Sequence, residues 1–178
     1  LKEAINQASP LYMLPEEPVL EEVLIPATKN SLCLDIMVGY FSSGSFSEIA
    51  PGLATFLKNS DGILQLVICP VLTEDDYNII SLNHNELANY SQKILIDEIP
   101  DEDQIANYTL ECIAWLISRK RLKMKIAIKK SFKGRFHPKC WLFGDEKNFA
   151  VLHGSSNATK SGLTENTEQL SLSRDWTG

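Results

Sequence analysis

Histidine and cysteine are scarce in this chain of 178 residues: it has three of the first and four of the second. The cysteines, Cys33, Cys69, Cys112 and Cys140, stand far apart, and no two share the Cys-x-x-Cys spacing of a zinc or redox motif. That excludes a disulfide scaffold and argues against structural zinc. Three of the four sit in apolar runs, so they read as buried free thiols of a protein in a reducing cytoplasm. No apolar run approaches the roughly 18 residues of a membrane span. The opening residues, LKEAINQASP, lack the charged-then-apolar order of a signal peptide. The initiating Met is also missing, so the chain reads as trimmed or as a piece of a longer protein.

Acidic residues are absent from one long stretch. Between Arg119 and Lys139 there are ten Lys or Arg and no Asp or Glu. The rest of the chain holds seven basic and 23 acidic residues, so a +10 stripe rides on a body of −16. The net charge of −6 alone argues against a nucleic-acid partner. The segregation argues for an anionic one, because exposed charge of one sign focuses a field on its counterpart. A basic helix end followed by a solvated strand is the plainer alternative.

What is present is enough for a core. Hydrophobic residues make up 44% and charged residues 22%, which excludes wholesale disorder. Glu16 to Thr28 reads as an amphipathic helix, with Leu20, Val23, Leu24 and Ala27 on one face and Pro18 in its first turn. Ser31–Phe41 reads as a buried strand, Ser45 to Lys58 as a helix after an SSGSF turn, and Ile63–Pro70 as a second buried strand. Thr73 is a candidate N-cap, with Asp76 three residues on. The acids Asp97, Glu98, Asp101, Glu102 and Asp103 read as a solvated loop before a helix from Gln104 to Arg119, not as a metal site. Strands follow at Leu122–Ile128, Phe136–Gly144, Phe149–Gly154 and about Thr167–Ser173. Alternating strands and helices, then a strand-rich end, predict an α/β layered domain with a mixed β-sheet flanked by helices. One domain over residues 1–178 is the simplest count.

Two of the three histidines fall in RFHPKCWLFGDEKNFAVLHGSSNATKSGLTENTEQLSL, Arg135 to Leu172. His137 and Lys139 lie two apart, on the same face if the segment is a strand. Lys offers a point charge to a phosphate oxygen, and His can act as nucleophile or proton carrier near neutral pH. Gly154-Ser155-Ser156-Asn157 follows a strand end, where Gly permits a tight turn and Ser and Asn supply hydrogen bonds to an anion. Glu168 can orient an imidazole by accepting from its second nitrogen. Together these groups can bind and attack a phosphodiester without a metal. Alone, a His-x-Lys or a Gly-Ser-x-Asn is an ordinary sequence; the combination within 32 residues, beside the basic stripe, is not. His153, beside the turn, reads as a strand-end histidine contacting backbone. Trp141 and Phe143 continue the His137–Lys139 face and should pack beneath the site.

This stretch resembles the catalytic motif of the phospholipase D superfamily: His-x-Lys, a variable Asp, then Gly-Ser-x-Asn. Here it reads His137-Pro-Lys139 and Gly154-Ser-Ser-Asn157, with Glu168 eleven residues further on. The phrase GSSNATKSGLTENTEQ resembles the nuclease branch, and is similar to domains at the N-termini of bacterial helicase-like and restriction-type proteins. IMVGYFSSGSF resembles the first strand and turn of the same domains. The likeness is dense over residues 130–173, thin over 30–70, and says little about 75–120. One departure stands out: the motif's Asp would fall on Gly144, and Asp145 is one position late, so it reads as a turn residue.

The resemblance implies a phospholipase D-like fold and a role for each matched residue. His137 attacks phosphorus to give a transient phosphohistidine. Lys139 and Asn157 hold the non-bridging oxygens and stabilise the developing charge. Ser155 bonds near the phosphate, and Glu168 fixes the tautomer of His137. No cofactor and no metal are implied. Superfamily chemistry uses two histidines, yet this chain has one His-x-Lys; His84, in SLNHNEL, has no Lys two residues on. The second motif should therefore come from a second copy, in a homodimer sharing one site. DNA is the expected substrate, with Lys125, Lys129, Lys130, Lys133 and Arg135 as phosphate contacts. A covalently linked helicase domain outside this sequence is the expected context. Two competing functions remain at this stage: a non-catalytic DNA-binding or dimerisation module, and a phospholipid phosphodiesterase. The second lacks the basic amphipathic helix with exposed aromatics that a membrane surface requires, so no membrane partner is expected.

Overall fold

The structure, a computed structural model, describes residues 1–42, 44–68, 112, 115–127 and 136–177. Among these residues seven strands form one mixed sheet: β1 (Leu11–Leu14), β2 (Cys33–Val38), β3 (Leu64–Ile68), β4 (Leu122–Ile126), β5 (Lys139–Gly144), β6 (Phe149–Gly154) and β7 (Glu168–Arg174). Their order is β1-β7-β6-β5-β2-β3-β4. β2, β3 and β4 run parallel; every other pairing is antiparallel. Helices flank the sheet: α1 (Lys2–Ile5), α2 (Ile25–Lys29), α3 (Gly44–Glu48), α4 (Ala50–Asn59) and α5 (Lys160–Thr164).

The core follows from strand alternation and register together. Leu34 pairs with Leu64 and with Phe143, Phe143 with Ala150, Leu152 with Leu172, and Leu170 with Tyr12. All are buried, so one parity of each strand faces one apolar layer. Val23, Leu24 and Ala27 of the second helical segment and Leu53 and Phe56 of α4 close that layer. Strand residues of the other parity are half-buried or exposed, except Gly144. Trp176, near the end of the chain, packs against the core and donates its indole N–H to Asn6.

Local chemistry explains where the elements depart from their sequence patterns. The helix expected from Glu16 begins at Val19, runs as a π-helix over Leu20–Leu24, and becomes α2 at Ile25. Pro26 has no N–H, and its ring would crowd the carbonyl four residues back; widening the preceding turn relieves both problems. The helix expected over Ser45 to Lys58 breaks at Ile49 for the same reason, with Pro51 in the first turn of α4. Gly52 lets α4 approach α2, since a Cβ there would lie 2.6 Å from the Ile25 carbonyl oxygen. β1 had no clear signal. It is four residues long, and only Tyr12 and Leu14 are buried. The strand expected at Ser31–Phe41 is present as the shorter β2, and those expected at Ile63–Pro70 and Leu122–Ile128 are present as β3 and β4, with residues 69, 70 and 128 outside the described residues.

One further reading changes. Cys33 and Cys140 are half-buried and Cys112 is exposed, so apolar sequence neighbours did not bury the thiols. Cys69, the Thr73 cap, the acids at 97–103 and most of the helix expected from Gln104 lie outside the described residues. Residues 115–118 are helical and end in a Schellman turn. Lys120 adopts a left-handed φ of 59°, its N–H reaches the Ile117 carbonyl, and the Arg121 N–H reaches that of Leu116.

Candidate active site

The matched residues gather at one end of the sheet. Lys139 opens β5, Ser155 and Asn157 follow β6, and Glu168 opens β7. His137 lies just outside β5 rather than on it, because pairing with β2 begins at Lys139. It still meets its partner: the Lys139 ammonium stands 2.9 Å from Nδ1 and 3.0 Å from Nε2 of His137. Whichever nitrogen accepts from that ammonium is unprotonated, and its lone pair becomes available for attack once the ammonium turns to a phosphate oxygen. Burial pulls the Lys139 ammonium below its usual range, while the Glu168 carboxylate pushes the other way.

The C-terminal end of β2 seats both groups. A Cβ on Gly39 would lie 2.4 Å from Cδ2 of His137, so only glycine leaves room for the imidazole. The Tyr40 ring meets that imidazole edge-on, with centroids 6.0 Å apart. The Tyr40 backbone N–H donates to Oδ1 of Asn157 at 3.2 Å. With its oxygen engaged, the Asn157 amide can offer its two N–H donors to an anion. The only sequence signal for this seat was the likeness of IMVGYFSSGSF to the superfamily's first strand. Gly39 and Tyr40 were not singled out in the sequence, because contacts with residues about a hundred positions away leave no local pattern.

The two serines of the turn divide their work. Ser156 is buried, and its hydroxyl donates to the Gly162 carbonyl at 2.6 Å, fixing the turn to α5. Ser155 is exposed; it donates to the Glu168 carboxylate and accepts from the Gln169 N–H. Among the described residues Glu168 therefore engages Ser155, and no hydrogen bond joins it to His137. His153 is exposed on β6 and contacts no backbone acceptor among the described residues.

Asp145 is a turn residue, as its sequence position suggested. Its carboxylate accepts from the backbone N–H groups of Lys147 and Asn148 at 2.8 Å each. Burial pushes its carboxyl upward, but these donors hold it well below the usual range. Trp141 and Phe143 are buried beneath Lys139, stacked with centroids 6.5 Å apart.

The basic stripe is not one surface. Arg121 donates to the carbonyls of Leu57, Ser60 and Gly62, so it closes the end of α4 instead of facing a ligand. Lys125 is exposed on β4, three strands from Lys139 and of opposite parity, so it points away from the site's face. Lys129, Lys130, Lys133 and Arg135 lie outside the described residues. Among the described residues no cluster of three His, Cys, Asp or Glu is placed to hold a metal ion, and no helix is long and apolar enough to cross a membrane.

Neither a protein-family model nor a curated protein sequence matches the chain. Solved structures do. NucT from Helicobacter pylori superposes with a TM-score of 0.55 at 17% identity, covering 94% of this chain and 84% of that one. Nuc from Salmonella typhimurium, a phospholipase D family member, gives a TM-score of 0.49 at 15% identity over 91% of this chain and 79% of its own. At such identities the likeness is one of architecture: the mixed seven-stranded sheet flanked by helices is the fold shared with NucT.

Proposed function

We propose that the chain is a phosphodiesterase that cleaves DNA without a metal ion, through a covalent phosphohistidine. The observation that carries this reading is the convergence of His137, Lys139, Ser155, Asn157 and Glu168 from three strand ends onto one spot. A nucleophile there sits beside a cation and a seated amide, the arrangement that stabilises charge developing on phosphate oxygens.

In the first step a His137 nitrogen attacks phosphorus; a P–N bond forms as one ester P–O bond breaks. Lys139 and Asn157 hold the non-bridging oxygens. The leaving oxygen takes a proton from His137 of a second copy, since this chain has a single His-x-Lys. Water then attacks phosphorus, its proton passes to that second imidazole, and the P–N bond breaks. Glu168 serves as the orienting carboxylate: one oxygen is engaged by Ser155 and the other is available to an imidazole N–H. Lys129, Lys130, Lys133 and Arg135 supply phosphate contacts beyond the reacting group, which dominate nucleic-acid affinity; Lys125, turned to the other face, does not join them. Restriction or helicase-linked DNA processing in the cytoplasm is the context that fits this chemistry and the likeness of GSSNATKSGLTENTEQ. NucT, which shares the architecture, supports the reading at the level of fold.

The test is cleavage of labelled DNA in excess EDTA by the chain and by His137→Ala. EDTA-resistant cutting that the variant lacks is the expected result. Cutting abolished by EDTA sinks the mechanism. Salt-sensitive DNA binding with no cutting by either protein replaces it with a binding module.

A further inference from the structure

Cys140, His153 and Met37 take no part in the site described above. In the register of the sheet Cys140 stands directly opposite His153 of β6 on one side and Met37 of β2 on the other. The three side chains form one row across adjacent strands, with the thiol in the middle. Alternation puts them all on the face turned away from the apolar core, since their strand neighbours Val38, Trp141 and Leu152 are buried. Met37 is 36% exposed, His153 is exposed and Cys140 is half-buried. Cys140 is a free thiol, and neither it nor the His153 imidazole has a hydrogen-bond partner among the described residues.

Directly opposed residues in antiparallel strands keep their Cβ atoms about 4.5–5.5 Å apart. An ion resting on the Cys140 sulfur thus lies within one side-chain length of a thioether on one side and an imidazole on the other. The donor set is selective. Zinc takes thiolate and imidazole, carboxylate or water, but not thioether, whereas soft thiolate and thioether ligands select Cu(I) and imidazole also suits copper. The row lacks the oxygen donors that Mg²⁺ or Ca²⁺ need.

We propose that Met37, Cys140 and His153 form a binding site for a soft monovalent cation, with Cu(I) as the fitting ion. Binding forms one Cu–S bond to the Cys140 thiolate, one to the Met37 thioether and one Cu–N bond to His153; the thiol proton goes to solvent and no electron moves. The site ties β2, β5 and β6 together one residue from Lys139 and Gly154 and two from Gly39, on the opposite face of the strands that seat the candidate active site. It stands independently of the proposed nuclease reading.

The test is an anaerobic titration of the chain with Cu(I), under reducing conditions, in competition with a coloured Cu(I) chelator. Cys33, Cys69 and Cys112 can also take up Cu(I), so differences between variants are read. One equivalent of tight binding is expected to disappear in Cys140→Ser and to weaken at least tenfold in both His153→Gln and Met37→Leu. Binding unchanged in any one of the three variants overturns the three-donor site, leaving a lone-thiol adduct at most. Should Cys140→Ser fail to fold, the two variants at exposed positions decide the matter alone.

Discussion

At the scale of single residues, Gly39 is the most revealing position. The imidazole of His137 occupies the space that any side chain there would need. Gly39→Ala must push the ring or bend the end of β2, and a displacement of about 1 Å can cost on the order of 10²-fold in rate. We expect a drop of that order in single-turnover DNA cleavage with a nearly unchanged thermal midpoint; full activity would show that His137 is not held there. Lys139 makes a prediction in pH. Burial depresses its pKa despite Glu168, and only the charged form serves a phosphate. Activity should therefore fall on the alkaline side below the ordinary lysine range. Lys139→Arg, whose charge persists, should move that limb upward even at reduced rate. A limb at the same pH in both proteins assigns it to another group.

At the scale of elements, proline and arginine decide more than helix propensity does. Pro26 and Pro51 turn two readable amphipathic stretches into a π-helix followed by an α-helix and into two short helices. Arg121 then anchors the end of α4 to the start of β4 through three carbonyls. Charged hydrogen bonds of this kind are worth about 1.5–3 kcal/mol, and removing the guanidinium leaves part-buried carbonyls unpaired. Arg121→Ala should lower unfolding stability by about 2 kcal/mol in urea denaturation, whereas Lys123→Ala, at an exposed position on β4, should change it by less than about 0.5 kcal/mol. Equal effects from the two would mean that Arg121 is no anchor. The sequence placed Arg121 in a uniformly basic stripe because charge alone does not reveal whether a guanidinium meets solvent or the carbonyls at a helix end.

At the scale of the whole molecule, the proposed mechanism calls for two chains per complete site, because each chain has one His-x-Lys. Sedimentation equilibrium should give twice the mass of one chain. Mixed dimers of wild type with His137→Ala should lose cleavage along with the homodimeric variant. A fully active monomer would end the shared-site reading. DNA affinity should also fall steeply with salt. Replacing Lys129, Lys130, Lys133 and Arg135 together by Ala should flatten the slope of log K against log salt by about 0.9 for each phosphate no longer neutralised. An unchanged slope removes those residues from the interface.

The amino-acid sequence by itself determined which candidate groups the site holds and most of the strands. His137, Lys139, Ser155, Asn157 and Glu168 were legible as an ordered set, and β6 was read to the residue, because motif spacing and strand alternation are written in neighbouring positions. Only the tertiary structure decided how those groups are placed and what they touch. It put Gly39 under the imidazole, gave the Asn157 oxygen to the Tyr40 backbone and engaged Glu168 with Ser155. It also committed Arg121 to helix α4 and turned Lys125 away from Lys139. The reason is one of range. Local rules fix what a residue can do, but a side chain's neighbours come from strands brought together by the sheet register, and burying one face of the whole sheet sets that register.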